Sequence, residues 1–117
     1  MRKPPFYKSV GNAFRGVIWM LKSERNFQIE VFALLVNLFL IVFLKLNTVD
    51  AAIILIVSFS VLSLEILNTA IEKVCDIIQP LFDLRIKIIK DISAAAVVLM
   101  ALASVVVGVL VYWKYLF

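Results

Sequence analysis

The stretch Glu65-Ile66-Leu67-Asn68-Thr69-Ala70-Ile71-Glu72-Lys73-Val74-Cys75-Asp76 decides how this chain is interpreted, because it places carboxylates at the end of a long apolar run. That run, residues 51–64, has helical length and contains neither proline nor glycine. At 3.6 residues per turn, one helix face carries Glu65, Asn68, Thr69, Glu72 and Asp76, here called the acidic stripe. Ionisable groups at membrane depth are costly and face a bundle interior or a wet cavity. The acidic stripe is therefore the first candidate for a functional site.

The composition indicates an integral membrane protein. The chain has 117 residues, of which 64% are hydrophobic, against ~45–50% in soluble globular domains. Only helices and closed barrels satisfy their backbone groups in lipid. The apolar runs are continuous rather than alternating, so the predicted fold is an all-α membrane domain spanning residues 1–117.

Charge and the absent residue types narrow the function classes. The net charge is +4, but the basic residues flank apolar runs, which favours membrane orientation over nucleic-acid binding. A single cysteine, Cys75, excludes an intramolecular disulfide and is typical of a small buried hydrophobe. The chain has no histidine. Any acid–base or metal chemistry must therefore use carboxylates.

Four helical segments are predicted along the chain. Residues 6–22 form an amphipathic pattern expected of a surface helix in the membrane interface, although packing on the protein would explain it equally well. Membrane helices are expected at about 27–46, 51–78 and 91–115. Ser23 and Asp50 are the expected helix caps, and Pro80 ends the second membrane helix. Residues 81–90 are expected to form a basic link, and Tyr112, Trp113 and Tyr115 an aromatic belt at the far interface.

Positive charge predicts the orientation. Basic residues concentrate before the first membrane helix and between the second and third, whereas only Lys45 and Lys114 fall on the other side. The positive-inside rule then places the N-terminus and the acidic stripe at the cytoplasmic face of the cell membrane. The basic residues on that side are Arg2, Lys3, Lys8, Arg15, Lys22, Arg25, Lys73, Arg85, Lys87 and Lys90.

The polar residues of this cytoplasmic layer permit a specific chemistry. Glu24 and Glu72 have the oxygen ligands that Mg²⁺ prefers, and Lys90 is a suitable phosphate contact. No glycine-rich nucleotide loop is present, so a P-loop protein and a protein kinase are excluded. The candidate residues are Glu24, Glu65, Asn68, Glu72, Asp76, Lys90 and Asp91.

The same residues allow less specific interpretations. Carboxylates where a helix leaves the membrane are commonly solvated surface, and Asn68 would also serve helix packing. A subunit of an ion-coupled carrier would need membrane carboxylates too, but these cluster at one interface and not at the bilayer centre. A non-catalytic assembly subunit is a further alternative.

The motif Glu65-x-x-Asn68-Thr69-Ala70-Ile71-Glu72, followed by Asp76, Lys90-Asp91 and Ala94-Ala95-Ala96-Val97, resembles the signature of the prokaryotic diacylglycerol kinase family, which includes undecaprenol kinases. The resemblance covers nearly the whole chain. It implies a homotrimer of three-span subunits that uses ATP and Mg²⁺ to phosphorylate a lipid alcohol.

The resemblance also implies roles for individual residues. Glu65 would be the general base, and Glu24 and Glu72 would bind Mg²⁺. The nucleotide would be bound by Asn68, Glu72, Asp76, Lys90 and Asp91. Two departures stand out: the link Gln79-Pro80-Leu81-Phe82-Asp83 lacks polar groups common in the family, and Glu30 replaces a histidine frequent in the undecaprenol branch.

Overall fold

The computed structural model describes residues 3–117, so the predicted cytoplasmic charge of Arg2 lies outside the described residues. It contains four α-helices within that range: α1 (Phe6–Ser23), α2 (Arg25–Phe43), α3 (Thr48–Ile78) and α4 (Leu84–Leu116). The last three are each long and apolar enough to cross a membrane. The all-α class and the three candidate membrane helices are thus confirmed.

Helix α3 is the centre of the fold, because both α2 and α4 pack against it. Met20 of α1, Phe27 and Leu34 of α2, and Leu62 of α3 form the hydrophobic core cluster. Phe27 is only 2% exposed. This cluster lies at the end of the molecule where α1 joins α2, and it holds three helices around the first residues of the acidic stripe.

The turn between α2 and α3 differs from the prediction. Helix α2 ends at Phe43 instead of continuing to residue 46, because Lys45 adopts a left-handed conformation with φ of 55°. The Leu46 and Lys45 amides donate to the Ile41 and Val42 carbonyls, which is the Schellman pattern of a helix end. The cap of α3 is Asn47 and not Asp50, since the Asn47 side chain accepts a 2.8 Å hydrogen bond from the Asp50 amide.

Helix α4 begins at Leu84, seven residues before the predicted start. The Asp83 carboxylate caps it, accepting hydrogen bonds from the Arg85 amide and guanidinium, both at 2.8 Å. These hydrogen bonds hold the pKa of Asp83 at about 2, below its usual 3.8. An ion pair of 2.7 Å between Lys87 and Asp91 supports the first turns. Residues 84–90 are therefore helical, and the predicted basic link is shortened to residues 79–83.

The aromatic residues near the end of α4 also differ from the predicted belt. Tyr112 turns inward and donates a 2.9 Å hydrogen bond to Asn37 of α2, whose amide donates in turn to Ser58 of α3 at 3.2 Å. The Tyr115 hydroxyl donates to the Asp50 carboxylate at 2.7 Å, and only Trp113 faces outward among the three. Two tyrosines thus join helices.

Candidate functional site

The length of α3 sets the depth of the acidic stripe. At 1.5 Å per residue, Glu65 lies ~22 Å along the axis from Asp50, Glu72 ~33 Å and Asp76 ~39 Å. Asp50 lies in the first turn of α3, and a hydrocarbon core is ~30 Å thick. If α3 enters the hydrocarbon layer near Asp50, the acidic stripe begins inside that layer and ends beyond its opposite edge.

The N-terminal half of the acidic stripe, from Glu65 to Thr69, faces the interior of the helix bundle. Glu65 is 4% exposed and Thr69 3%, while Asn68 is 8% exposed and has a buried amide oxygen, Oδ1, without a hydrogen-bond partner. The bundle interior predicted for these side chains is thus observed. A buried acceptor without a donor is costly. Asn68 therefore retains one buried acceptor, Oδ1, for a further hydrogen bond.

Glu24 and Glu72 lie near Glu65, and these three carboxylates are here called the acidic layer. The Asn68 amide nitrogen donates to the Glu72 carboxylate at 3.3 Å, and the charges of Glu24 and Glu72 both act on Glu65. Glu24 has an extended backbone between α1 and α2, and its side chain makes no capping bond. Ser23, the predicted cap, is instead the last residue of α1. The Glu24 carboxylate is therefore available for another role.

An ion pair of Lys90 joins α4 to the C-terminal end of the acidic stripe on α3. Its ammonium group donates to the Asp76 carboxylate at 2.6 Å, so the two side chains meet across the α3–α4 interface. Asp91 is different, because its carboxylate is paired with Lys87 on the exposed face of α4. The structure thus places six of the seven candidate residues on the acidic stripe or beside it, whereas Asp91 pairs with Lys87 on the exposed face of α4.

The donor set suits a hard cation only in part. Within residues 3–117, no three Asp, Glu, His or Cys side chains converge on a common metal position. Mg²⁺ commonly takes one or two carboxylates together with phosphate oxygens and water. Glu24, Glu72 and the unpartnered Asn68 oxygen are all hard oxygen donors. By donor type, Glu24 and Glu72 could bind a Mg²⁺ ion only if phosphate oxygens and water supplied its remaining ligands.

One acidic residue of the site was not among the predicted candidates. Glu30 of α2 has a buried carboxylate oxygen, Oε2, without a hydrogen-bond partner. Its position six residues after Glu24, as the last charged residue before the apolar run of α2, was the available signal. Glu30 also lines a cavity of about 200 Å³ between α2, α3 and α4, with Asn37, Ser58 and Ser104.

Two grooves open beside the acidic layer. One, of about 470 Å³, lies between α1 and α3 over Gly16, Ala13 and Ala70. The Lys73 ammonium lies 5.5 Å from the centroid of the Trp19 ring at this groove, a contact that the sequence did not predict. The other groove, of about 340 Å³, runs from Asp76 and Lys90 along the 79–83 link. The first groove includes Thr69 of the acidic stripe, and the second includes Asp76.

Comparison with known proteins identifies the family of this chain. Residues 11–112 match the model of a family described as prokaryotic diacylglycerol kinase. The chain is 35% identical over 107 residues to an undecaprenol kinase of Bacillus subtilis, covering 92% of this chain and 87% of that protein. It is 36% identical over 107 residues to a diacylglycerol kinase of Synechocystis, covering 90% of this chain and 61% of that longer protein.

The family match extends from the first turns of α1 to the last turns of α4, so it includes all the candidate residues. The three candidate membrane helices agree with a multi-pass membrane protein of this kind. The chain belongs to the prokaryotic diacylglycerol kinase family.

Proposed function

We propose that this protein transfers the γ-phosphoryl group of ATP to the hydroxyl of a membrane lipid, either diacylglycerol or undecaprenol, in a Mg²⁺-dependent reaction. The observation that carries the proposal is Glu65, a buried carboxylate inside the inner edge of the hydrocarbon layer. No lysine or arginine among residues 3–117 forms an ion pair with it. A carboxylate without a cation is free to accept a proton from a substrate.

The depth of Glu65 explains how two unlike substrates meet. A lipid hydroxyl stays near the headgroup layer, whereas a nucleotide arrives from water. In the proposed reaction, the hydroxyl oxygen bonds to the γ-phosphorus as its proton passes to Glu65. The bond from the γ-phosphorus to the bridging oxygen breaks, and ADP leaves. Phosphoryl transfer depends mainly on positioning and charge neutralisation, which a layer of fixed side chains supplies.

Glu24 and Glu72 are the proposed Mg²⁺ ligands. The ion, when bound, would neutralise charge on the nucleotide phosphates. Asn68 orients the Glu72 carboxylate through its 3.3 Å hydrogen bond and keeps its own oxygen free for a further contact. This part of the site lies one to two turns below Glu65, toward the aqueous side.

The remaining polar residues are proposed to bind the nucleotide. Asp76 holds the Lys90 ammonium at the α3–α4 interface, where it provides a point charge for phosphate. The α1–α3 groove has an apolar floor and room for a flat ring. Asp91, paired with Lys87 on the exposed face, is proposed to contact the nucleotide only by exchanging that partner.

The orientation and assembly are also part of the proposal. Helix α1 leaves its apolar residues Phe6, Phe14 and Ile18 exposed and buries Met20 alone, which suits a helix lying in the membrane interface. The charge bias favours a cytoplasmic N-terminus in the inner membrane. Three spans leave the acidic layer open on one side, so we propose a homotrimer that encloses the substrates, with small residues such as Ala95 and Gly108 at tight helix contacts.

A product assay tests the function directly. The protein is reconstituted in vesicles with γ-labelled ATP, Mg²⁺ and either diacylglycerol or undecaprenol, and labelled phospholipid is extracted. The expected result is product from at least one lipid, none without Mg²⁺, and very little from a Glu65→Gln variant. Absence of labelled lipid with both alcohols, under conditions where the protein is folded, would favour the assembly-subunit or carrier alternative.

A further inference from the structure

Three basic residues of α1 form one row along the helix. Lys8, Arg15 and Lys22 follow one another at intervals of seven residues. At 3.6 residues per turn they lie within ~40° of one another and extend over ~21 Å. All three are exposed, and none of the ion pairs within residues 3–117 involves them. Helix α1 contains no aspartate or glutamate. These three residues are here called the basic row.

The fold itself gives no reason for the basic row. Lys22 lies in the last turn of α1, where a cation interacts favourably with the helix dipole, but Lys8 lies in the first turn, where the same interaction is unfavourable. Met20 is the one buried residue of α1, and it lies ~120–160° around the helix from the basic row. The basic row therefore does not hold α1 against the other helices.

An exposed apolar face borders the basic row. Phe14, Ile18 and Leu21 are all exposed, and Ile18 lies only ~40–80° around the helix from the three cations. Cations beside an exposed apolar face are typical of a helix that lies on a membrane with anionic lipids. The apolar side chains reach the acyl chains, while the lysine and arginine stems extend toward the headgroups.

We infer that the basic row binds the phosphate groups of anionic phospholipids at the membrane surface. Lys8 and Lys22 supply point charges, and the Arg15 guanidinium can donate two parallel hydrogen bonds to one phosphate. The partner is a lipid headgroup and not a soluble phosphate, because the adjoining apolar face holds the row at headgroup level. The inference rests on the interfacial position proposed for α1. It does not rest on phosphoryl transfer, since these lipids surround the protein and are not its substrate.

Fluorescence quenching by brominated lipids tests this binding. Trp19 lies one turn after Arg15 and is 45% exposed, so it reports on lipids beside the basic row. Trp113→Phe leaves Trp19 as the only tryptophan. The protein is reconstituted in phosphatidylcholine vesicles that contain a small fraction of brominated phosphatidylglycerol or brominated phosphatidylcholine. The anionic lipid should bind about fivefold more strongly for each phosphate contact, and this selectivity should disappear at ~1 M salt, where the Debye length is ~3 Å.

Charge variants in the Trp113→Phe background identify the residues responsible. The triple variant Lys8→Gln, Arg15→Gln, Lys22→Gln should quench equally with both lipids, because no cation remains for the phosphates. The exchange Lys8→Arg, Arg15→Lys, Lys22→Arg conserves the charge and should keep the selectivity. Lys45→Gln is the matched control, because it removes an exposed cation from the turn after α2, and it should also keep the selectivity.

Two results would overturn the inference: equal quenching by the two lipids when the basic row is intact, or unchanged selectivity in the triple glutamine variant. Weak quenching by both lipids would assign the exposed face of α1 to a second copy or another protein and would overturn it as well. If the triple variant does not insert, Arg15→Gln compared with Lys45→Gln decides, since each removes one charge. A protein that selects the anionic lipid but makes no phospholipid product would overturn the proposed function and leave the basic row supported.

Discussion

The hydrogen bonds of Asn37 connect all three membrane helices, and their contribution to stability can be estimated. Its amide oxygen accepts from Tyr112 of α4 at 2.9 Å, and its nitrogen donates to Ser58 of α3 at 3.2 Å. Asn37 lies ~18 Å along α2 from Arg25, well inside the hydrocarbon layer. Hydrogen bonds between membrane helices average ~0.6 kcal/mol and reach ~1.7 kcal/mol.

Each variant removes a defined number of these bonds. Tyr112→Phe removes one bond and should lower the free energy of unfolding by ~0.6 kcal/mol. Asn37→Leu conserves most of the volume but removes two bonds, so it should cost ~1.2 kcal/mol. The double variant should also cost ~1.2 kcal/mol, because Tyr112→Phe has nothing left to remove. The expected coupling between the two positions is therefore ~0.6 kcal/mol.

The assay is reversible unfolding in mixed micelles with increasing sodium dodecyl sulfate, followed by circular dichroism. A change of ~0.6 kcal/mol is about a threefold change in the unfolding equilibrium, which is measurable. Tyr7→Phe is the matched control, because Tyr7 is 71% exposed on α1. Strict additivity of the two variants would show that Tyr112 and Asn37 are not bonded in the folded protein and would refute this account of helix joining.

Four further predictions concern the site and the link. Glu65→Gln should lower kcat by about 10²–10⁴-fold while circular dichroism shows a folded protein, because an amide accepts no proton; near-normal turnover would remove Glu65 as the base. Glu72→Ala should weaken MgATP binding and leave lipid binding largely unchanged, and nucleotide titrations with wild-type affinity at every Mg²⁺ concentration would refute the shared cation site. If subunits share a site, inactive Glu24→Ala and Glu65→Gln chains should partly restore activity in mixed trimers; no restoration in demonstrably mixed trimers would place the site within one chain. The capping contribution of Asp83 should be complete above its usual pKa of 3.8 and be lost as the pH falls through about 2; protection of the Arg85 amide from hydrogen exchange should follow this window, and Asp83→Asn, which caps without titrating, should not.

The parts of the fold that the sequence predicted are those set by local composition. Continuous apolar runs identify α2, α3 and α4, because a helix satisfies its own backbone groups in lipid, whereas the strands of a barrel would alternate apolar and polar residues. The periodicity of α3 placed Glu65 and Asn68 on one buried face, and both are buried. Pro80 lies just beyond the end of α3, as expected from its missing amide hydrogen.

The parts that the sequence did not predict depend on side chains from different helices or on one local bond. In sequence, a carboxylate just before a helix looks like one in the first turn of that helix. Asp50 was therefore expected to cap α3, although it lies in the first turn. Asp83 was not expected to cap α4, although it does. Tyr112 has a hydroxyl that suits either a membrane interface or a buried partner. Only the position of Asn37 on another helix decides between them.

Helix α3 carries two buried carboxylates, and their different partners separate a structural role from a chemical one. Asp50 is 6% exposed and accepts hydrogen bonds from Lys114 at 3.0 Å, Tyr115 at 2.7 Å and Asn47 at 3.1 Å. Glu65 is equally buried, yet the nearby charges that act on it, those of Glu24 and Glu72, are acidic. Natural folds tolerate a buried charge when cations and donors satisfy it. Asp50 meets that condition and joins the first turn of α3 to the end of α4. Glu65 does not meet it within residues 3–117, so the fold alone gives no reason for a carboxylate at that depth. In the proposed reaction, a lipid hydroxyl that donates its proton to Glu65 would provide that reason.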